Sequence, residues 1–318
     1  MAAPANTHLE VATVGIREDL ENTIYRVAAE ETPFMNNIGK MKIKGTLHEL
    51  QTEDLATPDP DNSHLEGGDV TIEAAHVTKR VGVYAQIFQK SGGVSRTNNK
   101  NNRAGVSSTL DEQKEIKGIE LRRDMEARII GNKASRAESG ATTRETAGAL
   151  AWVETNDSLG ATGASGGWSA GGVVDAATNG TQRTFTEAQI KGLIATGFSE
   201  GARYSQAYMS MAHKQQFGAF TGLADNRVTQ SAAKQKVIVG AADVYVTDAG
   251  NLTLIPHAYG LTRDCLLIDP SGWAVGTYDG MHSYNLAKTG DSEKFMIVCE
   301  KALVCKNEKK GAVVRDLT

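Results

Sequence analysis

The chain is poor in cysteine and has no long apolar run, and both absences exclude classes of protein. Its 318 residues contain only three cysteines, Cys265, Cys299 and Cys305, with no CxxC spacing. An odd number without paired spacing argues against a disulfide framework, so we expect reduced thiols, with Cys299 and Cys305 on one strand. No apolar stretch approaches the roughly 20 residues that span a bilayer. The start, MAAPANTHLE, also lacks a secretory signal, so we expect a soluble, cytoplasmic chain with no membrane partner.

The sequence also lacks a large excess of either charge. Charged residues make up 23% of the chain and the formal net charge is -4, whereas nucleic-acid-binding domains usually carry a clear excess of Lys and Arg. A hydrophobic fraction of 40% excludes a disordered polyelectrolyte, and at this length it supports one or two domains with a sizeable core. The composition therefore predicts a mixed α and β protein that is not a basic nucleic-acid binder.

The sequence offers no convincing pattern of an enzyme or a metal site. The seven histidines include no HExxH and no closely spaced ligand pair. The spacing GxSxG occurs around Ser165 and Ser169 in the glycine-rich run, but no apolar strand leads into that run, as a nucleophile elbow requires. We therefore predict no catalytic residues, no metal ligands and no cofactor. A triad assembled from distant residues leaves no local signature in a sequence, so that alternative stays open here.

Two local patterns resemble ligand loops but depart from them. The glycines at 160, 163, 166 and 167 match neither GxGxxG nor GxxxxGK[ST], and we interpret this run as a flexible linker. Residues 59–62 resemble the start of a calcium loop, but the sixth position lacks glycine and the twelfth is Val70 instead of glutamate. We interpret this span as a solvated acidic loop tip, with a weak divalent site as the alternative.

The strongest helical signal covers residues 107–133. Leu121, Met125 and Ile129 lie four residues apart and predict one narrow apolar stripe on a long helix. Ser108, followed by two acidic residues, is typical of a helix N-cap, and a glycine follows the last apolar residues. Shorter helices are predicted over 17–30, over 186–201 and in the second half of 205–222.

Residues 43–90 predict a long β-hairpin with an acidic tip. Residues 43–55 and 70–90 alternate in polarity, and the span between them is polar, contains two prolines and is rich in Asp and Glu. The apolar residues at odd positions of the second strand are expected to share one face: Val77, Val81, Val83 and Ile87. A two-stranded hairpin is marginally stable by itself in water. We therefore expect this one to rest on another surface, such as a neighbouring subunit.

The remaining chain divides into an irregular part and a β-rich part. Residues 135–182 are low in large apolar side chains, and we predict an irregular connection pinned by Trp152 and Trp168. From 236 the chain is predicted to be β-rich, with a turn at 248–251. Further strands are predicted within 264–269, 272–278 and 293–309.

Several of these stretches resemble one known family. REDLENTIYRVAAEETPFMNNIGK near the start, HELQTEDLA, VGVYAQIFQKSGGVS and KGIELRRDMEARIIGN are similar to segments of tailed-phage major head proteins. Near the other end, LAKTGDSEKFMIVCEKALVCKNEKKGAVV resembles the closing segment of that family. The matches flank the chain, whereas about 135–180 matches poorly.

The resemblance implies an α+β fold of the Hong Kong 97 capsid type. It implies an N-terminal arm at 1–42, an extended hairpin called the E-loop at 43–95, and a first part of the peripheral domain at 96–182 with a spine helix at 107–133. The axial domain then covers 183–290, and closing strands of the peripheral domain cover 291–318.

The same resemblance implies a major capsid protein. Copies would assemble as hexamers and pentamers into an icosahedral shell that encloses double-stranded DNA without sequence-specific binding. The shell would be assembled in the host cytoplasm and would become part of the virion. The partners implied are other copies, a portal protein at one vertex and separate scaffold or cementing proteins.

The expected contacts between copies use charged residues of the hairpin and the long helix. The mixed charges at 120–124 favour a solvated face or intersubunit salt bridges over a nucleic-acid contact. The acidic residues of the tip are expected to meet arginines of another copy: Asp59, Asp61, Glu66 and Asp69 with Arg80, Arg122 or Arg123.

Two further features of the family are expected to be absent. The Lys, Asn and acidic residue that cross-link subunits in some members have no match by position, so we expect no covalent cross-links. The resemblance to the arm begins by residue 17, so we expect no fused scaffold and an N-terminus that stays near Met1.

Three alternatives remain at this point. The first is an encapsulin-like compartment, which shares the fold but loads enzymes. The second is an enzyme built on an α/β middle domain at 183–290. The third is a decorating or tail protein, for which β structure throughout the chain, without a long charged helix, would be expected.

Overall fold

The computed structural model describes residues 31–101, 105–169, 173–220 and 243–318, apart from positions 71, 73 and 76. The helix predicted over 17–30 and the start of the β-rich part at 236–242 lie outside these residues.

The strands in chain order are β1 (Gly39–Lys42), β2 (Leu47–Thr52), β3 (Lys79–Tyr84), β4 (Gln86–Ser95), β5 (Asp157–Ser158), β6 (Gly167–Trp168), β7 (Val174–Asp175), β8 (Gln206–Met209), β9 (Val244–Thr247), β10 (Gly250–Pro256), β11 (Cys265–Ile268), β12 (Trp273–Asn285), β13 (Ser292–Cys305) and β14 (Gly311–Val314). The helices are α1 (Pro33–Asn37), α2 (Arg96–Lys100), α3 (Thr109–Ile130), α4 (Ala149–Trp152), α5 (Glu187–Ser199) and α6 (Met211–Gly218), with short 3-10 helices at Pro270–Gly272 and Glu308–Lys310.

One sheet has four strands in the order β1-β12-β13-β4. β12 and β13 pair antiparallel over most of their length, with register shifts near Asp279, and β1 runs parallel to β12. β4 pairs antiparallel with β13 from Gln86 to Ser95. Strands from three distant parts of the sequence therefore form one sheet, and Cys299 and Cys305 lie on the same strand as expected.

The long helix predicted at 107–133 is confirmed as α3. The Ser108 side chain accepts the Asp111 N–H at 3.4 Å, which caps the first turn. Leu121, Met125 and Ile129 are buried on the face that packs against β4 and β13. The opposite face carries charged residues, so α3 lies along the outside of the four-stranded sheet.

The second strand of the predicted hairpin is divided between two sheets. β3 pairs antiparallel with β2 and forms the hairpin, whereas β4 belongs to the four-stranded sheet. The expectation that Ile87 shares one face with Val83 is therefore wrong. Ile87 is exposed and Phe88 is buried, because the pairing of β4 with β13 sets a new inward face.

The second sheet has six strands in the order β5-β14-β11-β8-β10-β9. The hairpin of β9 and β10 turns at Asp248 and Ala249, which confirms the turn predicted from the sequence. The predicted helices at 186–201 and within 205–222 are confirmed as α5 and α6. Both contribute to a second hydrophobic core with this sheet, through residues that include Ile190, Leu193 and Phe217.

The glycine-rich run is packed and is not the flexible linker that we expected. The Gly160 and Gly180 N–H groups each donate to the Asp316 carboxylate, at 3.0 and 2.8 Å. A Cβ on Gly160 would lie 2.2 Å from the Thr181 carbonyl oxygen, so glycine is required there by close approach of the backbone. Trp152 is buried, as expected of a pin, and Trp168 is partly buried against the first core.

The expected division into domains is not a division into separate sheets. β12 lies within 183–290 and pairs with β13 of the closing segment, while β14 of that segment pairs with β11. The chain thus passes between the two sheets several times, and both sheets are joined by short connections. Within the described residues, no helix is long and apolar enough to cross a membrane.

Candidate intersubunit contact surface

The described hydrogen bonds and core contacts attach the hairpin to the body of the molecule at its base. The Ala85 N–H donates to the Thr46 carbonyl oxygen at 2.7 Å, and Val83 is buried in the first core. Leu50 and Val81 pack partly against the same core. The paired strands therefore start from a fixed position, and what they carry beyond Thr52 and Lys79 extends away from this core.

We name residues 53–78 the hairpin tip, and no described part of the chain covers its described residues. Every described residue of the tip is exposed. The tip includes five large apolar side chains, each at least 82% exposed: Leu55, Leu65, Val70, Ile72 and Val77. Monomeric proteins rarely expose apolar groups in such numbers in one place unless the surface binds a partner.

The tip also concentrates the negative charge of the protein. It holds seven of the 38 acidic residues and none of the 34 Lys and Arg residues. The rest of the chain, with 31 acidic residues, therefore has a formal excess of three positive charges. The modest net charge of the whole chain conceals this separation of an acidic tip from a slightly basic body.

The four acidic residues predicted as contacts lie in the tip and have only local hydrogen bonds. Asp59 accepts the Asp61 N–H at 2.9 Å, and Asp69 accepts the N–H of Val70 at 2.9 Å. Among the described ion pairs, none joins these carboxylates or Glu66 to an arginine of the same chain. The structure thus leaves the acidic residues available and does not bring them to the predicted arginines.

The three arginines predicted as contacts differ in their surroundings. Arg80 lies on β3 and pairs with Glu49 across the hairpin. The Arg123 guanidinium donates to the Tyr259 hydroxyl at 3.0 Å and lies over its ring. Arg122 is exposed on α3 and has no ion-pair partner in the part of the chain that the structure describes. Arg122 is therefore the arginine most available to another molecule.

Other exposed apolar residues were not predicted from the sequence. One group lies along the end of β12 and just beyond it: Tyr278, Met281, Tyr284 and Leu286. Another lies on α5 and the edge strand β9: Phe198, Val244 and Val246. The hairpin tip was predicted, and the exposure of its apolar residues could have been predicted with it, because the prolines, glycines and aspartates around them prevent a local core. The β12 and β9 groups could not, because polarity alternation does not show whether a face is covered.

The described residues offer little for catalysis or metal binding. They contain no group of three or more His, Cys, Asp or Glu side chains placed to hold a metal. All three cysteines are free and buried. Burial raises the pKa of Cys299 to about 11, and burial also raises the pKa of Cys265 and Cys305, so these thiols stay protonated at neutral pH. The buried Glu126 and His257 side chains contact each other but have no exposed surface.

Comparisons of the sequence with known proteins match one family model and one curated relative over nearly the whole chain. A family model described as SU10 major capsid protein matches residues 3–318. A major capsid protein of Escherichia phage Phieco32 is 26% identical over 337 aligned positions, which cover 94% of this chain and 94% of that protein.

Among solved structures, the cyanophage A-1(L) capsid asymmetric unit matches with a TM-score of 0.67 at 10% identity, over 95% of this chain and 97% of that chain. The holo-SrpI encapsulin complex from Synechococcus elongatus PCC 7942 matches with a TM-score of 0.57 at 9% identity, over 96% of each chain. At such identities the similarity shows the fold alone. It confirms the α+β fold of the Hong Kong 97 capsid type that the sequence predicted.

Proposed function

The chain belongs to the SU10 major capsid protein family and is a structural component of a phage virion; from this premise we propose that its copies form an icosahedral shell of hexamers and pentamers. The shell encloses double-stranded DNA without sequence-specific contacts, in keeping with the formal net charge of -4. Assembly takes place in the host cytoplasm. A portal protein occupies one vertex, and separate scaffold or cementing proteins assist.

The exposed hairpin tip is the observation that carries this proposal. Five large apolar side chains at least 82% exposed would be unfavourable in a chain that stays monomeric. A closed shell removes this cost, because each tip is covered by a neighbouring copy and symmetry leaves no edge without a partner. The acidic residues of the tip, Asp59, Asp61, Glu66 and Asp69, then pair with cations of that neighbour.

The parts of the chain take separate roles in the proposed shell. Residues 1–42 act as the arm and 43–95 as the E-loop, which reach other copies. Residues 96–182 and 291–318 form the peripheral domain, which is supported by the packing of α3 on β4 and β13. Residues 183–290 supply most of an axial domain, which is supported by the second core around α5 and α6.

An encapsulin-like compartment is the second candidate, favoured by the structural match to the SrpI encapsulin. Both candidates predict closed shells, so the contents and the vertices distinguish them. A phage shell has one portal vertex and contains DNA, whereas a compartment contains cargo enzymes and twelve equivalent vertices. Nuclease-protected DNA in particles from infected cells, together with one distinct vertex in images, supports the capsid.

Expression of the chain alone tests the proposal. We expect capsomers or closed shells by sedimentation and negative-stain electron microscopy, with subunits that leave the shell folded. A folded protein that remains monomeric at high concentration, with or without co-expressed scaffold, contradicts self-assembly as the function.

A further inference from the structure

A groove between α1, α3 and the four-stranded sheet brings together cations from three distant parts of the sequence. It has a volume of about 460 Å³, and its lining includes Lys40 of β1, Arg122 of α3 and Lys301 of β13. An adjoining depression shares Lys40 and adds Lys42 of the same strand. The carboxylate in the lining of the groove is that of Glu31. The two depressions therefore hold four cations against one anion.

These four cations have no ion-pair partner in the part of the chain that the structure describes. The ion pairs on the neighbouring elements join other residues, such as Lys90 with Asp124. Burial lowers the pKa of Lys301 most, and the charges of Lys40 and Arg122 lower it further. The positive charges thus repel one another across the groove, and an anion placed between them would relieve that repulsion.

The accessible part of the groove is mostly polar. Three apolar residues of the lining are at most 9% exposed: Met35, Met125 and Val275. Met281, which is 37% exposed, is the more accessible apolar residue there. Hydroxyl and amide groups that are exposed or half-buried also line the groove: those of Thr32, Asn36 and Thr277. A ligand therefore meets cations and uncharged donors but little apolar surface, which suits an anion with several oxygen acceptors, such as phosphate.

The row of cations continues along a strand, which favours a chain of phosphates over a single phosphate ion. Lys40 and Lys42 are both exposed and lie two residues apart on β1, at an edge of the four-stranded sheet. Their side chains therefore leave the same side of the strand, about 6.6 Å apart. A DNA backbone carries one phosphate for about every 3.4 Å of helix axis in each strand. A phosphodiester chain that runs past this edge meets several cations at once, whereas a single ion meets only those of the groove.

We propose that the groove lined by Lys40, Arg122 and Lys301, with Lys42 beside it, binds phosphate groups of the packaged DNA without regard to base sequence. This inference rests on the proposed function, which puts double-stranded DNA inside the shell, and deepens it by assigning the DNA contact to one face of the subunit. Contacts to phosphate position a nucleic acid but carry no sequence information. A small basic surface on a chain with a formal net charge of -4 makes few contacts per subunit, which are weak singly and numerous in a shell.

Binding of a labelled DNA duplex to the unassembled subunit tests the inference. A variant with Lys40→Gln and Arg122→Gln removes two exposed cations and should leave the midpoint of urea denaturation unchanged. We expect fluorescence anisotropy to show an affinity loss of roughly tenfold at about 50 mM salt. The slope of log K against log salt should fall by about two, since each phosphate contact contributes about 0.9. Duplexes of unrelated sequence should bind equally well.

Lys100→Gln with Lys306→Gln is the matched control. Both lysines are exposed and lie outside the groove and the adjoining depression, so this variant changes the net charge by the same amount. It should keep the affinity and the salt slope of the wild type. An equal loss of affinity in the two variants would show that only net charge matters, and would overturn the groove as the binding site.

Lysine footprinting of particles from infected cells tests the contact within the shell. Acetylation of Lys40 and Lys42 by a small reagent should be severalfold slower in DNA-filled particles than in particles emptied of DNA. Lys100 should react equally in both. Equal protection of Lys40 and Lys42 in filled and emptied particles would show that protein covers them, and would overturn the DNA contact.

Competition separates the possible sources of negative charge. Inorganic phosphate, added at constant ionic strength, should displace the duplex only weakly, and displacement at concentrations similar to that of the duplex phosphates would reduce the groove to a single-ion site. Polyglutamate that binds more tightly than DNA of matched charge would assign the groove to carboxylates of a protein partner. Either result overturns the inference. Wild-type shells that form while the DNA tests fail overturn this inference alone, whereas a wild type that forms no shells overturns the proposed function.

Discussion

Glu126 and His257 form a fully buried pair, with 2.9 Å between Oε1 of Glu126 and Nε2 of His257. The same carboxylate accepts the backbone N–H groups of Phe34 at 2.7 Å and Met35 at 3.0 Å, at the start of α1. His257 follows β10 of the six-stranded sheet, whereas Glu126 lies on α3. One side chain therefore joins the end of the predicted arm, the long helix and the second sheet.

Loss of this carboxylate should destabilise the subunit strongly. Glu126→Ala removes one partner of a buried pair and leaves two N–H groups without an acceptor. We expect a loss of about 3–5 kcal/mol in the free energy of unfolding. Glu126→Gln keeps one acceptor oxygen and should cost less, about 1–3 kcal/mol. Urea denaturation of the unassembled subunit measures both.

Glu120→Gln on the same helix is the control for Glu126. Glu120 pairs with Lys117 at 2.8 Å near the surface, so its loss should change the unfolding free energy by less than about 0.5 kcal/mol. Equal effects of Glu120→Gln and Glu126→Gln would show that the buried carboxylate does not hold these three parts together.

The contact of Asp316 with the glycine-rich run gives a second prediction. Asp316 is buried, and its carboxylate binds Gly160, Gly180 and the Arg263 side chain, which lies 2.9 Å away. Asp316→Ala leaves these donors without their acceptor and should cost about 2–4 kcal/mol, by summing the usual cost of unsatisfied buried groups. Gly160→Ala should also destabilise the subunit, because its Cβ would overlap the Thr181 carbonyl oxygen.

Gly118→Ala is the matched control for Gly160. Gly118 lies within α3, and a Cβ there meets no atom within 4 Å. Alanine should therefore stabilise the subunit by up to about 1 kcal/mol. If both alanine variants raise the midpoint of urea denaturation, the run at 160–167 is a loose connection and its packing has been misjudged.

The cysteines give a prediction about reactivity with pH. Because burial raises the pKa of Cys299 to about 11, and those of Cys265 and Cys305 also rise, little thiolate exists at pH 8. Labelling of the native subunit by a thiol reagent should be slow at pH 8 and complete only after denaturation. Rapid labelling of any thiol at pH 8, or a dimer on a non-reducing gel, would contradict this account.

The apolar residues of the hairpin tip should matter for assembly and not for folding. Leu55→Ser with Leu65→Ser should leave the urea midpoint of the subunit unchanged, since both side chains are 88% exposed. Burial of one leucine contributes about 1.5–3 kcal/mol, so the concentration needed for assembly should rise at least tenfold. Leu55→Met with Leu65→Met keeps the apolar surface and should assemble normally. Normal assembly of the serine variant would show that the tip stays in solvent.

Much of the fold could be predicted because its elements have local signatures. The stripe of Leu121, Met125 and Ile129 and the cap at Ser108 are sufficient to predict α3. The division of the second hairpin strand was missed, because β3 and β4 are separated only by Ala85 and alternate in polarity without a marked break. Only the pairing of β4 with β13, which joins Gln86 to Lys301 across 215 positions of the sequence, shows where the hairpin ends.

The site could be predicted only in part. The acidic tip is visible in the sequence as a span without Lys or Arg. The exposed apolar groups on β12 and β9 are not, because alternation in polarity does not show which face of a strand is covered. The packing of Asp316 against glycines was also missed, because a run of small residues without a repeating pattern resembles a flexible linker in the sequence. These relationships depend on tertiary structure, and no local propensity encodes them.

A reconstruction of shells assembled from this chain, by electron cryomicroscopy, tests the central claim most directly. The account predicts hexamers and pentamers in which residues 53–78 of each copy lie on a neighbour and bury Leu55 and Leu65. A shell in which these residues project into solvent, or a protein that forms no shell under any assembly condition, would contradict it.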